Sequence, residues 1–266
     1  MNYLILICLI ILSGCPSSIK NEKQAIPQVF ICPPCNGDCD SLLFDKAGQC
    51  PHCGMMLVDQ SMIDHEKNVT RKDLTIAFFL QDNIELLDFA GPMEVFRVAG
   101  FNVFTVSKTK DHIHSEGALT IVPEYSIADA PTADVMVFFG GSHSTPTNDT
   151  TLISWIKSRI PKTQYFISVC TGAFIMGKAG ILDGLSATTY HTQIDALRLA
   201  LPKTKVLSNV RFIDNGRVIT TAGISAGIDG ALHFVSKIKG KAFALQIAQD
   251  IEYDKWIPNQ GLIIGQ

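Results

Sequence analysis

The chain has 266 residues, enough for one large domain or two smaller ones. Its 22 Lys and Arg against 25 Asp and Glu give a net charge of −3, and no basic block or cationic face stands out, so nucleic acid is not an expected partner. Seven of the eight cysteines lie before residue 54, which leaves Cys170 to be explained separately from the rest.

Residues Tyr3 to Leu12 are almost wholly apolar and are followed by Ser13-Gly14-Cys15. The run is too short to span a bilayer as a stable helix, and it fits the apolar region of a signal peptide ahead of small residues. Leu12-Ser13-Gly14-Cys15 resembles a bacterial lipobox. The resemblance implies that residues 1–15 are a lipoprotein signal, with cleavage before Cys15 and lipidation of its sulfur. The protein is then expected on the cell envelope, lipid-anchored and extracytoplasmic, where disulfides are permitted. One departure is the absence of Lys or Arg ahead of the apolar run. Residues 16–28 are polar, with Pro, Ser and Lys, and read as a tether.

A cysteine-rich module is expected over 29–58. Cys32-Pro33-Pro34-Cys35 is followed, after fourteen residues, by Cys50-Pro51-His52-Cys53-Gly54-Met55. Each Cys-x-x-Cys pair places two thiolates on one tight turn, and two such turns complete a tetrahedron. Cys32, Cys35, Cys50 and Cys53 are therefore candidate ligands for zinc or another soft heavy-metal ion. Two disulfides are the alternative in an oxidising compartment. Cys39 is left over, either as part of another ligand set or as a free thiol. The segment resembles the small bacterial heavy-metal-binding domain of metal-efflux proteins, with Cys35 where that family has His. A site closed by four protein ligands implies a structural or sensory role.

Residues 59–72 are polar and charged and read as a linker. From 73 to 258 strands and helices alternate. Leu74–Leu80 is an apolar strand, Glu85–Ala99 a helix expected to break near Gly91-Pro92, and Phe101–Ser107 a second strand. Asp134–Phe139 is a continuously apolar strand ending at Gly140-Gly141, and Thr151–Arg159 is a helix. The strand before Cys170 leads into a helix reaching Lys178. Val218–Thr221 precedes a helix over Ser225–Lys237, and a last helix covers Phe243–Tyr253. Continuous apolar strands between helices predict a mostly parallel sheet covered on both faces, with ligands at the carboxyl ends of its strands.

Cys170 ends the run Tyr165-Phe-Ile-Ser-Val-Cys170 and is followed by Thr171-Gly172-Ala173. A cysteine at a strand-to-helix turn lies near unpaired amide hydrogens and the positive end of the helix dipole, which favour thiolate. That is the position of an activated nucleophile, although a free cysteine is also a common small core residue. Asp88, a lone acid in Leu86-Leu87-Asp88-Phe89-Ala90-Gly91-Pro92, either caps its helix or exchanges a proton with the thiol. Gly140 and Gly141 expose amides that, with that of Thr171, are candidates for an oxyanion hole. His191, in Ala187-Thr188-Thr189-Tyr190-His191, is the nearest downstream histidine and a candidate partner for the thiol. The weaker candidates are His112, His114, His143 and His233.

Five motifs in order carry a family resemblance: Leu87-Asp88-Phe89-Ala90-Gly91-Pro92, Val137-Phe-Phe-Gly-Gly141, Ser168-Val-Cys-Thr-Gly-Ala173, Ala187-Thr-Thr189 and Gly223-Ile-Ser-Ala-Gly-Ile-Asp229. Over roughly residues 72 to 255 the chain resembles the PfpI-like branch of the class I glutamine amidotransferase-like superfamily. The nearest subgroup contains isonitrile hydratase and the N-terminal halves of AraC-type regulators. The resemblance implies a flavodoxin-like three-layer α/β sandwich with a nucleophile elbow, and no cofactor in this domain. Cys170 would be the nucleophile, Thr171 an elbow donor and Asp88 the acid partner. The superfamily commonly forms homodimers. The family usually has His directly after Ala-Thr-Thr, where this chain has Tyr190, so Tyr190 or His191 must serve in its place.

Two functions follow as expectations. One is a Cys-dependent hydratase or hydrolase acting on a small carbon–nitrogen or carbonyl compound. The other is a metal- or redox-sensing lipoprotein that binds a ligand without turnover. Glutaminase chemistry is disfavoured, because it needs a His-x-Glu pair downstream of the cysteine, and His114-Ser115-Glu116 lies upstream.

Overall fold

The computed structural model describes residues 28–32, 38–60, 74–117, 119–142, 144–253, 256–258 and 260–265. The expected signal peptide with Cys15, nearly all of the tether, Cys35, most of the linker and His143 lie outside the described residues.

The main domain is built on an eight-stranded sheet. Its strands are β1 (Thr75–Phe79), β2 (Asn102–Ser107), β3 (Tyr125–Ser126), β4 (Val135–Phe138), β5 (Tyr165–Ser168), β6 (Phe212–Asp214), β7 (Val218–Thr221) and β8 (Leu262–Ile263). The spatial order is β8-β6-β7-β5-β4-β1-β2-β3, and every pairing is parallel except the antiparallel β6–β7 pair. The helices are α1 (Leu86–Val98), α2 (Thr150–Arg159), α3 (Gly172–Lys178), α4 (Ile194–Ala200), α5 (Ala226–Lys239) and α6 (Lys241–Asp250).

Alternate residues of each central strand enter different cores. Ile76 and Phe78 of β1, with Val135 and Val137 of β4, pack on the side that holds Phe96, Leu232 and Phe234 of α1 and α5. Ala77, Phe79, Met136 and Phe138 face the opposite side, against Leu152 and Ile156 of α2 and Ile175 and Met176 of α3. Both faces are dry, so these strands read as unbroken apolar runs, and the result is the expected flavodoxin-like three-layer sandwich.

Helix α1 differs from expectation. It runs through Gly91-Pro92 without a break. Pro92 removes only the amide that would bond the carbonyl of Asp88, four residues back. The two residues instead form a close crossing with α5: a Cβ on Gly91 would lie 2.8 Å from Ile228 Cγ1, and one on Gly227 would lie 3.3 Å from Pro92 Cγ. At the far side of α5, Asp214 is buried and bound by His233 at 2.8 Å and by Lys237 at 2.8 Å. These bonds hold the Asp214 carboxyl below its ordinary range despite its burial. His233 is thus a structural group, not a site residue.

The cysteine-rich segment forms a small three-stranded antiparallel sheet, with Phe30–Ile31 between Leu43–Phe44 and Val58–Asp59. Its core is Cys32, Cys39, Cys50, Met55 and Leu57. So few apolar side chains make a minimal core, and a metal or cross-link is the usual supplement at this size.

Candidate active site and thiol cluster

Cys170 sits just beyond β5 with φ +57°, a left-handed conformation that is strained for a residue with a side chain. The turn is held on both sides. The Cys170 amide donates to Ala222 O at 2.6 Å, and its carbonyl accepts the Thr189 hydroxyl at 2.7 Å. The thiol is buried, with 6% of the residue exposed.

Asp88 lies in the first turn of α1, but it does not cap the helix. It is completely buried. Its Oδ2 accepts the Gly140 amide at 2.9 Å and its Oδ1 accepts the Ile224 amide at 2.8 Å. The same carboxyl hydrogen-bonds the Cys170 thiol. Gly140 is clamped over this pair: a Cβ there would lie 2.5 Å from Asp88 Oδ2 and 2.7 Å from Cys170 Sγ.

The electrostatics correct one expectation. The helix end does not yield a low-pKa thiol. Burial, followed by the neighbouring Asp88 carboxylate, pushes the Cys170 thiol well up, and the opposing bonds from Thr171 do not compensate. Burial also raises Asp88, to about 6, against the lowering effect of the Ile224 and Gly140 amides. Near neutral pH the pair is therefore a thiol beside a carboxylate poised to take its proton.

Other candidate residues fall differently. The Gly140 amide is committed to Asp88 and is not free to bind an oxyanion. Gly141 accepts the Thr171 hydroxyl through its carbonyl at 3.3 Å. At φ +99°, a Cβ on Gly141 would meet Asn83 O at 2.1 Å, so the backbone packs closely there. Thr171 follows Cys170 directly and turns its amide toward the thiol, while its hydroxyl goes to Gly141 O. Tyr190 is half-buried; a Cβ on Gly223 would lie 2.4 Å from its ring. His191 is exposed, edge-on to the Tyr190 ring at 4.4 Å, and makes no hydrogen bond to Cys170 or Asp88 among the described residues. Sequence reasoning missed Ile224, whose own left-handed backbone (φ +58°) aims its amide at Asp88. It also missed Thr189 as the clamp on the Cys170 carbonyl.

Four thiols of the small module, Cys32, Cys39, Cys50 and Cys53, have sulfurs within 4.8 Å of one another. Cys39, left over by the sequence reading, takes the fourth corner among the described residues. Cys32 Sγ is 3.2 Å from Cys53 Sγ and 3.8 Å from Cys39 Sγ. Those separations exceed a disulfide bond of about 2.05 Å. The 3.8 Å separation suits the edge of a tetrahedron with metal–sulfur bonds near 2.3 Å, and the 3.2 Å contact is closer than such an edge. The Met55 amide pulls the exposed Cys53 down to about 7, while burial pushes Cys32 up. The donor set fits a soft divalent ion, and the cluster could hold one.

A parallel sandwich with a strained cysteine elbow and a buried acid against the sulfur defines a cysteine-centred α/β domain of the nucleophile-elbow class. The DJ-1/PfpI family profile matches residues 74–237, and the chain belongs to that family. It is similar to an isonitrile hydratase of Pseudomonas putida, 31% identical over 185 residues, covering 68% of this chain and 78% of the relative. It is also similar to the HTH-type transcriptional regulator GbdR of Pseudomonas aeruginosa, 23% identical over 192 residues; the match spans about half (52%) of the regulator's length. Among solved structures, a ThiJ/PfpI family protein from Pseudomonas syringae superposes with a TM-score of 0.65 at 27% identity, covering 73% of this chain and 81% of that one. Drosophila melanogaster DJ-1beta gives 0.60 at 19% identity, over 68% of this chain and 98% of that one, and shares the fold.

Proposed function

We propose that the main domain is a Cys-dependent hydratase of small carbon–nitrogen compounds, with isocyanides as the substrate class. The observation that carries this reading is the buried Cys170–Asp88 pair. The similarity to isonitrile hydratase supports it. In the proposed sequence, Cys170 Sγ bonds the terminal carbon of R–N≡C, and the thiol proton passes through Asp88 to that carbon. The product of this step is the thioimidate S–CH=N–R. Water then adds to the same carbon, giving one proton to Asp88 while the nitrogen gains one. The C–S bond breaks, the sulfur recovers its proton, and an N-substituted formamide leaves. The thiol need not be ionised beforehand, because the base sits against it.

A second reading is ligand binding without turnover. The exposed position of His191 and the elevated thiol favour it, as does the similarity to regulators. Cyclohexyl isocyanide incubated with the protein is expected to give N-cyclohexylformamide by proton NMR, and Cys170→Ala is expected to give none. Wild-type protein that forms no formamide, yet melts at a higher temperature with the isocyanide present, would replace the first reading with the second.

The N-terminal segment is proposed to anchor the protein to the cell envelope through a lipid on Cys15, with the thiol cluster as a structural or sensory site for zinc or a similar soft ion. Labelling with an alkyne fatty acid in a bacterial host tests the anchor. Label that persists in Cys15→Ser would refute it.

A further inference from the structure

The loop from β1 to α1 buries a glutamine against the Gly140 peptide. Gln81 is 6% exposed. Its amide nitrogen donates to Phe139 O at 3.0 Å and to Gly140 O at 3.2 Å, which fixes the orientation of the group. Its Oε1 is buried and accepts no hydrogen bond among the described residues. An unpaired buried acceptor costs free energy, so the two donated bonds are what this side chain is placed to make.

Phe139 O and the Gly140 N–H are the two ends of one peptide group, and in a planar trans peptide they point in opposite directions. Gln81 therefore grips the carbonyl end of the group whose N–H end donates to Asp88 Oδ2 at 2.9 Å. The Asp88 carboxyl in turn bonds the Cys170 thiol. Glutamine amide, peptide, carboxyl and thiol form one continuous hydrogen-bonded chain, in which each bond polarises the next. Gly140 has no Cβ to restrict its backbone, so the aim of its N–H depends on what grips the peptide from outside. The next carbonyl, Gly140 O, has a second donor in the Glu85 amide at 3.2 Å, which makes Phe139 O the place where Gln81 matters.

We propose that Gln81 is a positioning residue of this site: by holding Phe139 O it turns the Gly140 N–H onto Asp88 and keeps that carboxyl ready as the base for Cys170. The inference rests on Asp88 acting as that base, as proposed above. The ionisable groups bearing on Asp88 are Cys170 on the elbow and Glu85 just ahead of α1. Asp229 of α5 is closed on Arg211, and His233 and Lys237 of the same helix on Asp214.

Iodoacetamide labelling of the full chain across pH, read on the Cys170 peptide by mass spectrometry, tests the proposal without requiring turnover. Wild-type labelling is expected to rise through a limb near the Asp88 value of about 6, and Asp88→Asn to lack that limb. In Gln81→Met the Gly140 bond to the carboxylate weakens, which favours the protonated acid, so the limb is expected to move up by about one pH unit. Labelling then slows about fivefold at the wild-type midpoint and stays within about twofold of the wild type roughly two pH units above it. The substitution removes the unpaired Oε1 and leaves Phe139 O without this donor, so the denaturation midpoint should stay close to that of the wild type. A folded Gln81→Met with an unmoved limb overturns the proposal and leaves the Cys170–Asp88 reading standing. Labelling slowed equally at every pH would mark a merely structural role and overturn it too. A wild type without the limb, or a limb that persists in Asp88→Asn, overturns both. If Gln81→Met does not fold, the side-chain amide protons of Gln81 in the wild type decide by NMR. They are expected to shift across the limb and to stand still in Asp88→Asn; protons that stay fixed in the wild type overturn the proposal.

Discussion

Asp88 and Cys170 compete for protons in a buried space, the carboxyl wholly out of water and the thiol nearly so. The carboxyl is raised to about 6 because its burial outweighs two amide hydrogen bonds. As a base for the thiol it works only when ionised, so isocyanide turnover is expected to rise with pH through an acid limb near 6. Asp88→Asn should remove that limb and lower kcat by on the order of 100-fold. The same shift has a stability sign. A carboxyl with a folded pKa above its unfolded one holds its proton longer in the native state, so stability falls as pH rises from about 4 to 6. For a shift of about two units the loss is roughly 3 kcal/mol, and thermal melts across that window should show it in wild type but not in Asp88→Asn. Cys170 and Asp88 were legible in the sequence because polar, reactive side chains are conspicuous inside apolar runs. The partners of Asp88 were not, since Gly140 and Ile224 act through backbone amides and any residue type carries an amide. His191 stands apart from the pair for a related reason. Nearness in sequence to the Ala-Thr-Thr motif says nothing about which way the chain turns after it.

Among the elements, α3 shows how tightly the elbow constrains its successor. Its first residue, Gly172, stands where an added Cβ would lie 2.3 Å from the Phe138 carbonyl oxygen and 2.8 Å from the Phe139 amide. Backbone on both sides leaves nothing flexible to yield. Gly172→Ala is therefore expected to destabilise the domain by about 2–3 kcal/mol, read as a lower denaturation midpoint, and to impair Cys170 alkylation kinetics as the elbow shifts. The equivalent change at Gly180, with open space around it but φ +82°, should cost only the smaller backbone strain. The central strands β1, β2, β4, β5 and β7 were readable from their apolar runs. β3, β6 and β8 were not, since two or three residues at a sheet margin have too short a period to register. The unbroken α1 escaped notice because proline was weighed as a helix breaker, while its ring serves the crossing with α5.

For the whole molecule, the question is how a module with five buried core residues among those described coexists with a sandwich holding two dry cores. The small unit depends on its thiols. Cys39→Ser is expected to weaken zinc binding by at least about 100-fold, measured against a chromophoric chelator. Chelation of the metal-loaded protein should abolish the module's protected amides in hydrogen exchange, while the thermal midpoint of the main domain stays unchanged. The Cys-x-x-Cys spacing announced a thiol cluster; among the described residues Cys39 joins it, and Cys35, the ligand expected from the spacing, lies outside them.

The amides that hold Asp88 come from 52 and 136 residues further along. A chain emerging from the ribosome carries Asp88 and even Cys170 long before Ile224 arrives to close the site. Until then the carboxyl is solvated, the elbow has no Ala222 carbonyl to hold its turn, and the sulfur is an ordinary thiol. The Cys170–Asp88 pairing is thus withheld until the strand β7 and the turn after it are in place. An unfinished chain therefore carries an exposed thiol of ordinary character, and what completion supplies is the buried carboxyl set against it.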